Sequence, residues 1–385
     1  MLTYLIARFS SLSCERTTQL VFLYHNASHI FKSFSSVSKV SESNQRKGKS
    51  REEESYTVSY LTDSLGMSSQ FAMKVSKRVK LAGQDKPDSV QNLFRSYGFS
   101  DSQISKLVEK IPRVLFAKPE KTLSPKLRYL QSIGFSRSEL PELFIHNPRI
   151  LTMSLKKTII PRYEALKSIV DDDKARRAFK RWGRYHKDST ILVSNLKVLR
   201  QHGVPQSSVS RIVAHSVGAA LTKPTKFIEH VKFAKEIGID PSKSAFIQAV
   251  SVLATTNKLT WESKLDIYER CGWSRDVTLS AFRKFPNCMM LSEDKITSTM
   301  KFLVDDMGLS LVDIVNCPVF LGYSLEQRII PRCSVFKILK NNGLIKSDMS
   351  LCSLITLSET KFLEKFVIPF QESVPKLLEI YGSRS

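Results

Sequence analysis

The sequence predicts an all-α protein, an α-solenoid of about eight three-helix repeats of roughly 35 residues each. Three observations predict it. Seven glycines (Gly98, Gly134, Gly203, Gly238, Gly272, Gly308 and Gly343) are each followed by an apolar residue and lie 36, 69, 35, 34, 36 and 35 residues apart. Pro112, Pro148 and Pro286 each stand fourteen residues after one of those glycines. The phrases "SLKKTIIPR" at 154–162 and "SLEQRIIPR" at 324–332 share six of nine residues at a separation of 170.

Taken in chain order, residues 1–50 differ in kind from the rest, with eleven serines, seven Lys or Arg, and Glu15 and Glu42 as their acids. That composition suits an organellar transit peptide and a disordered segment. Arg8 and Arg16 favour a mitochondrial address, with the chloroplast as the alternative. Residues 51–87 are expected to be linker and N-terminal cap, and the stretch 41–56, "SESNQRKGKSREEESY", reads as flexible. Its "GKS" lacks the earlier glycine, strand and helix of a phosphate loop.

The repeat array is expected over 88–360, closed by a C-terminal cap and tail at 361–385. Each repeat opens with a helix ending at its glycine, because a Schellman cap wants left-handed geometry there and an apolar residue just after it. Those residues are Phe99, Phe135, Val204, Ile239, Trp273, Leu309 and Leu344, facing Phe94, Leu130, Leu199, Ala234, Tyr268, Val304 and Leu339 on the helix behind them. The double-length gap hides a degenerate repeat near Val170 to Asp173. Ser100, Ser136, Asp240, Ser274 and Ser310 then stand ready to start a second helix.

Proline ends that second helix by removing an N–H and biasing the residue before it away from helical geometry. About twelve residues remain, enough for a third short helix. Val217 and Val252 hold the proline column without proline, and Pro318 arrives four residues early. A period near 35 also fits arrays of paired helices, but the glycine-then-proline landmarks differ from those.

This arrangement, with "FLGYSLEQRIIPRCSVFKILKNNGL" at 320–344 and "NPRILTMSLKKTIIPRYEAL" at 147–166, resembles the plant organellar branch of the mitochondrial transcription termination factor (mTERF) family over about 88–360. The resemblance implies a right-angled or crescent superhelix with a basic inner surface. It also implies binding of double-stranded DNA or organellar RNA, in transcription termination or initiation, splicing, or ribosomal RNA maturation.

Charge points the same way. Lys plus Arg number 59 against 36 Asp plus Glu, a formal +23, which favours a polyanionic partner. The densest basic stretch is "KARRAFKRWGRYHK" at 174–187, where Arg177, Arg181 and Arg184 would form a helical stripe along phosphates, supported by Lys174, Arg176, Lys180 and Lys187. Trp182 and Tyr185 offer flat rings for an exposed base. The bland alternative is a solvated face neutralised by Asp171 to Asp173.

Arg113, Arg149, Arg162 and Arg332 beside prolines, and Lys156, Lys157, Lys223, Lys226, Arg283 and Lys284 near repeat edges, are further candidates. Arg162 and Arg332 could instead bond helix-end carbonyls. A monomer is expected, and an α-solenoid scaffold for protein partners is the alternative function.

No HExxH, GxSxG or GxGxxG occurs, and the seven histidines form no metal or catalytic pattern, so neither an enzyme nor a cofactor or metal site is expected. Six cysteines without a CxxC pair read as reduced core fillers. No apolar run reaches the roughly 18 residues of a membrane span, so no membrane partner is expected.

Overall fold

The computed structural model describes residues 42–183, 185, 188–345 and 350–382, with the backbone alone at 42–51, 380 and 382. These fall into two compact units, 42–197 with 209–221, and 198–208 with 222–382. Among the described residues every regular element is helical. The expected transit segment lies outside them as far as residue 41. From Glu42 the chain is helical, so the stretch read as a flexible linker is instead the start of α1 (Glu42–Leu65).

Helix α1 stops at Gly66, φ +60°, where the Met67 N–H reaches the Leu61 carbonyl at 3.1 Å. A glycine turn thus stands one repeat before the series read from the sequence, in the wider form, reaching back six residues, that also ends α15 at Leu309. After α2 (Ser69–Ser76) comes α3 (Asp85–Ser96), which is tied to α1. Tyr60 Oη donates to Asp88 at 2.5 Å and accepts from Gln91 Nε2 at 2.6 Å.

Helix pairs then follow one another: α3 with α4 (Asp101–Lys110), α5 (Ser124–Ser132) with α6 (Glu139–His146), and α7 (Ile160–Lys167) with α8 (Asp172–Trp182). Next come α9 (Ser189–Gln201) with α10 (Gln206–Ala220), α11 (Pro224–Glu236) with α12 (Ser244–Thr255), and α13 (Lys258–Arg270) with α14 (Arg275–Lys284). The last pairs are α15 (Glu293–Lys301) with α16 (Leu311–Asn316) and α17 (Ile330–Asn341) with α18 (Leu351–Thr356). Helices α19 (Glu359–Phe366) and α20 (Leu377–Gly382) close the chain.

All seven expected cap glycines have positive φ, from +66° to +94°. The next residue's N–H reaches back as a Schellman turn requires: Phe99 to Phe94, Phe135 to Leu130, Val204 to Leu199 and Ile239 to Ala234, each at 3.1 Å. Trp273 reaches Tyr268 at 3.0 Å, and the two rings stack with centroids 5.1 Å apart. One cap is shifted: Leu309 reaches Leu303, not Val304, because a π turn at Phe302–Asp306 adds a residue to the end of α15.

In the degenerate repeat the Val170 N–H bonds the Leu166 carbonyl at 3.1 Å without any glycine, and Asp171 then caps α8 by accepting from Lys174 N at 2.8 Å.

Prolines act as the sequence leads one to expect. Ile111, Asn147, Phe285 and Cys317 leave the helix at φ near −130° to −141°, and the prolines after them open five-residue 3-10 helices. These segments (Pro112–Phe116, Pro148–Thr152, Pro286–Met290 and Pro318–Gly322) are the third elements of their repeats. Ser216, before Val217, breaks α10 at φ −136° and ψ 43°, so the bend survives there without its proline. Helix α12 runs unbroken past Val252.

The apolar stripes bury residues such as Leu127, Leu130, Leu140, Phe144 and Ile150, each worth about 1.5–3 kcal/mol of burial. One cysteine expectation is overturned: Cys317 and Cys352 are joined by a disulfide, Cα to Cα 6.1 Å. Cys271, Cys288 and Cys333 are free. Spacing alone hid the pair because its partners stand one repeat apart, 35 residues, rather than in a local motif.

Candidate nucleic-acid interface

Helix α8 carries the densest basic stretch, and most of its charge is already used within the protein. Lys174 Nζ bonds Asp171 at 2.6 Å, and Arg176 pairs with Asp173 and also approaches the Ile133 carbonyl at 3.5 Å. Lys180 Nζ bonds Glu139 at 2.8 Å, and with the Ser136 N–H this holds the Glu139 carboxyl below the usual range. Arg181 donates to the Ala214 carbonyl. Arg177 is exposed and has no hydrogen bond or ion pair among the described residues.

Three expectations for this stretch are corrected or fall outside. Trp182 is fully buried, so no base can stack on it. The helix stops at Trp182, so a stripe on its face ends at Arg181; Arg184 and Lys187 lie outside the described residues. Tyr185 is exposed, and a Cβ on Gly218 would collide with its ring, so the ring rests against the bare Gly218 backbone.

Arg162 and Arg332 are not surface cations. Arg162 is 8% exposed, its guanidinium 5.5 Å from the Trp182 ring centre and 3.5 Å from Met153 Sδ, and burial lowers its pKa. Arg332 is completely buried and donates to the carbonyls of Leu354, Ile355 and Leu357 at 3.1, 3.1 and 2.7 Å, and to Glu359 at 2.9 Å. It satisfies the end of α18, the helix-end role open to it from sequence, and phosphate cannot reach it.

The same duty falls on a residue that sequence reasoning missed. Lys126 in α5 is 7% exposed and donates to the Leu151 carbonyl at the end of its own repeat's 3-10 helix, with its pKa lowered by burial. In α9, Asn195 does likewise, Nδ2 to the Ala220 carbonyl at 2.9 Å. Lys284 is exposed but donates to Val315 O at 3.1 Å and Asn316 Oδ1 at 3.0 Å, stapling one second helix to the next. Arg283, half-buried, donates to Ser280 at 2.8 Å.

Other cations without a partner recur near the starts of repeats. Arg113 and Arg149 follow their prolines in the 3-10 helices and are exposed. A few residues later Lys118 and Lys121, then Lys156 and Lys157, stand exposed in the first turns of the π segments that lead into α5 and α7. Lys118 and Lys121 were not singled out from sequence. In the other compact unit Lys223 and Lys226 hold the first turn of α11, and Lys258 that of α13.

None of these side chains has a hydrogen bond or ion pair among the described residues. Equivalent positions in a stacked array face the same way, so within each unit they form one edge. The exposed ring of Phe116, 44% accessible, lies in that edge between Arg113 and Lys118.

This placement runs against helix electrostatics. A helix N-terminus carries roughly half a positive charge, so lysines there are disfavoured until an anion arrives. Ser154 Oγ accepts from the Lys157 N–H and Asn257 Oδ1 from the Thr260 N–H, whereas the N-terminus of α11 has no side-chain cap. Farther along, Glu293 and Asp294 open α15 and Glu359 opens α19, while the turns before α5 and α17 each hold an acid and then a cation, Glu120 with Lys121 and Glu326 with Arg328. The unpartnered cations therefore run over 113–157 in one unit and over 223–258 in the other. Among the described residues, no helix is long and apolar enough to cross a membrane.

Comparison with known proteins agrees with the repeat geometry. A sequence model of the mTERF family matches residues 91–300 and 243–363. Transcription termination factor MTERF15, mitochondrial, of Arabidopsis thaliana is 27% identical over 121 residues, 31% of this chain and 26% of that protein. Transcription termination factor MTERF8, chloroplastic, is 25% identical over 130 residues, 34% of this chain and 25% of its own length. Transcription termination factor MTEF18, mitochondrial, is 29% identical over 103 residues, 26% of this chain and 18% of its length. The matched part thus spans about a quarter or less of each of these Arabidopsis relatives.

Proposed function

Because the chain belongs to the mTERF family, we propose that it is a non-catalytic nucleic-acid-binding protein of an organelle that regulates gene expression by gripping a phosphate backbone with the basic edges at 113–157 and 223–258, one in each unit. One observation carries this reading: the first helices α7 and α11 open with unpartnered lysines, Lys156 and Lys157 before the one and Lys223 and Lys226 at the other, set against the helix dipole. Arginines after the prolines extend the same edge. Phosphate oxygens relieve both the lysine repulsion and the uncapped N-terminus of α11, and repetition adds modest contacts into one grip.

Phe116 offers a face for an unpaired base beside that backbone. The names of the Arabidopsis relatives, mitochondrial and chloroplastic transcription termination factors, support action on organellar transcripts or templates. The Ser-rich, acid-poor segment at 1–50 supports import, with the mitochondrion favoured by Arg8 and Arg16.

The test is direct binding of the 51–385 chain to duplex DNA, single-stranded DNA and RNA of one sequence across a salt series. Binding that weakens log-linearly with salt is expected, and the tightest binding at a common salt concentration identifies the substrate class. No retention on any of the three at low salt would overturn the proposal.

A further inference from the structure

The bond between Cys317 and Cys352 stands where the rest of the array uses hydrogen bonds. Each cysteine lies nine residues after its cap glycine, Gly308 or Gly343, so they hold one position in consecutive repeats. At earlier junctions the end of one second helix holds the end of the next. Lys110 Nζ donates to Ile145 O at 2.7 Å, Asn147 Nδ2 to Lys180 O at 2.7 Å, Arg181 to Ala214 O, and Lys284 Nζ to Val315 O at 3.1 Å. At the last junction Cys317, which ends α16, meets Cys352, the second residue of α18.

We propose that this pair is a reversible thiol–disulfide lock on the terminal repeat, opened by a dithiol reductant and closed by a disulfide oxidant. The inference does not rest on nucleic-acid binding. A cavity of about 500 Å³ adjoins the bond, walled by Leu309, Asp313, Phe320, Phe336, Lys340 and both cysteines. Cys317 is buried, 8% exposed, while Cys352 is half-buried, so an incoming thiolate meets the Cys352 sulfur first.

Attack there forms a mixed disulfide with Cys352 and breaks the Cys352–Cys317 bond, and the electron pair leaves on Cys317 as thiolate. Lys340 in the cavity wall favours that negative charge. The reductant's second thiolate then displaces Cys352. Two electrons and two protons pass in all: the dithiol becomes a disulfide, and the chain gains two thiols.

The other described cysteines are poor rivals. Burial pushes the Cys288 and Cys333 thiols up to about 12, and it also raises that of Cys271. The lock matters because α18 supplies the carbonyls that hold Arg332, and Arg332 in turn holds Glu359 at the start of α19. Helix α19 is held to α17 through Arg332 and Glu359, so loosening α18 loosens the support of α19.

The experiment uses the chain purified without reductant, its free thiols blocked in acid before digestion. A peptide linking Cys317 to Cys352 is expected, and dithiothreitol should abolish it. Amide hydrogen exchange over 351–366 is then compared in the oxidised chain, the reduced chain and Cys352→Ser. Exchange at least about tenfold slower in the oxidised chain is expected, with Cys352→Ser at the reduced rate under both conditions and residues 85–146 unchanged. Absence of the linked peptide after treatment with oxidised glutathione, or linked chain exchanging at the reduced rate, would overturn the lock.

Discussion

Replacing Arg149, Lys156 and Lys157 together by Gln separates free cations from structural ones. All three are exposed and without a side-chain partner among the described residues, so their loss should shift stability by no more than about 0.5 kcal/mol. If each neutralises one phosphate, the salt slope of log K should fall by about 0.7 per contact on a single strand and 0.9 on a duplex, about 2 to 2.7 in all. Taking the electrostatic contribution to vanish near 1 M salt, affinity at about 0.1 M should drop roughly 100- to 500-fold.

Fluorescence anisotropy of a labelled oligonucleotide across a salt series measures the slope, and circular dichroism verifies the fold. Lys126→Met is the opposite control, because its ammonium is buried against the Leu151 carbonyl. It should lower the melting temperature and leave the slope alone. A folded triple variant with an unchanged slope, or a Lys126→Met chain with a reduced slope and unchanged melting, would refute the assignment.

Other perturbations probe the scaffold. Arg332→Met should cost about 3 kcal/mol or more, since three helix-end carbonyls lose a charged donor; an unchanged melting temperature would contradict the bonding of α18. Gly203→Ala has open space at φ +78° and should cost about 1 kcal/mol for its left-handed backbone alone, read by denaturant melts. Gly134→Ala, at φ +94°, would also drive a methyl into the Arg176 guanidinium, so it should cost about 1 kcal/mol more than Gly203→Ala; equal losses would deny that contact.

Burial, then Lys235 and Lys232, hold the His202 pKa below its ordinary value of 6.5. The unfolded chain therefore binds the proton more readily between the folded value and 6.5, and stability falls as pH drops through that window. His202→Gln should flatten the dependence, and melts across about pH 5 to 7.5 would show whether it does.

The fold was legible because its signals are local and steric. A left-handed turn selects glycine, and the apolar residue after it must touch the helix behind, so Gly134 and Phe135 announce their cap to a reader who knows nothing else. Where the structure departs, a non-local cause decided. The π turn at Phe302–Asp306 moves the Leu309 bond to Leu303, and nothing in "FLVDD" marks an extra residue per turn. Ser216 bends α10 at φ −136° with valine, not proline, after it, so no residue type marks the break in the sequence. Cap spacing could have extended the array backward, since Gly66 and Met67 stand 32 residues before Gly98 and Phe99 and Gly66 too has positive φ.

The basic site was harder to read because sequence density of charge does not separate a cation that binds a partner from one that binds its own backbone. "KARRAFKRW" looks like a track, yet the acids just before it and the carbonyls of neighbouring repeats absorb four of its five cations. A usable signal lay in register: Lys126 and Asn195 each stand eight residues before their cap glycines, inside the apolar stripe, and a polar residue there must find a buried acceptor.

By the same logic, lysines in the first turn of a helix earn attention, because they lack a helical reason to be there. The starts of α7, α11 and α13 carry such cations, and those of α15 and α19 carry acids. The proposed grip accordingly predicts that charge reversal at Lys223 and Lys226 weakens nucleic-acid binding while Glu293→Gln with Asp294→Asn does not, and equal effects of the two would refute the assignment to helix starts.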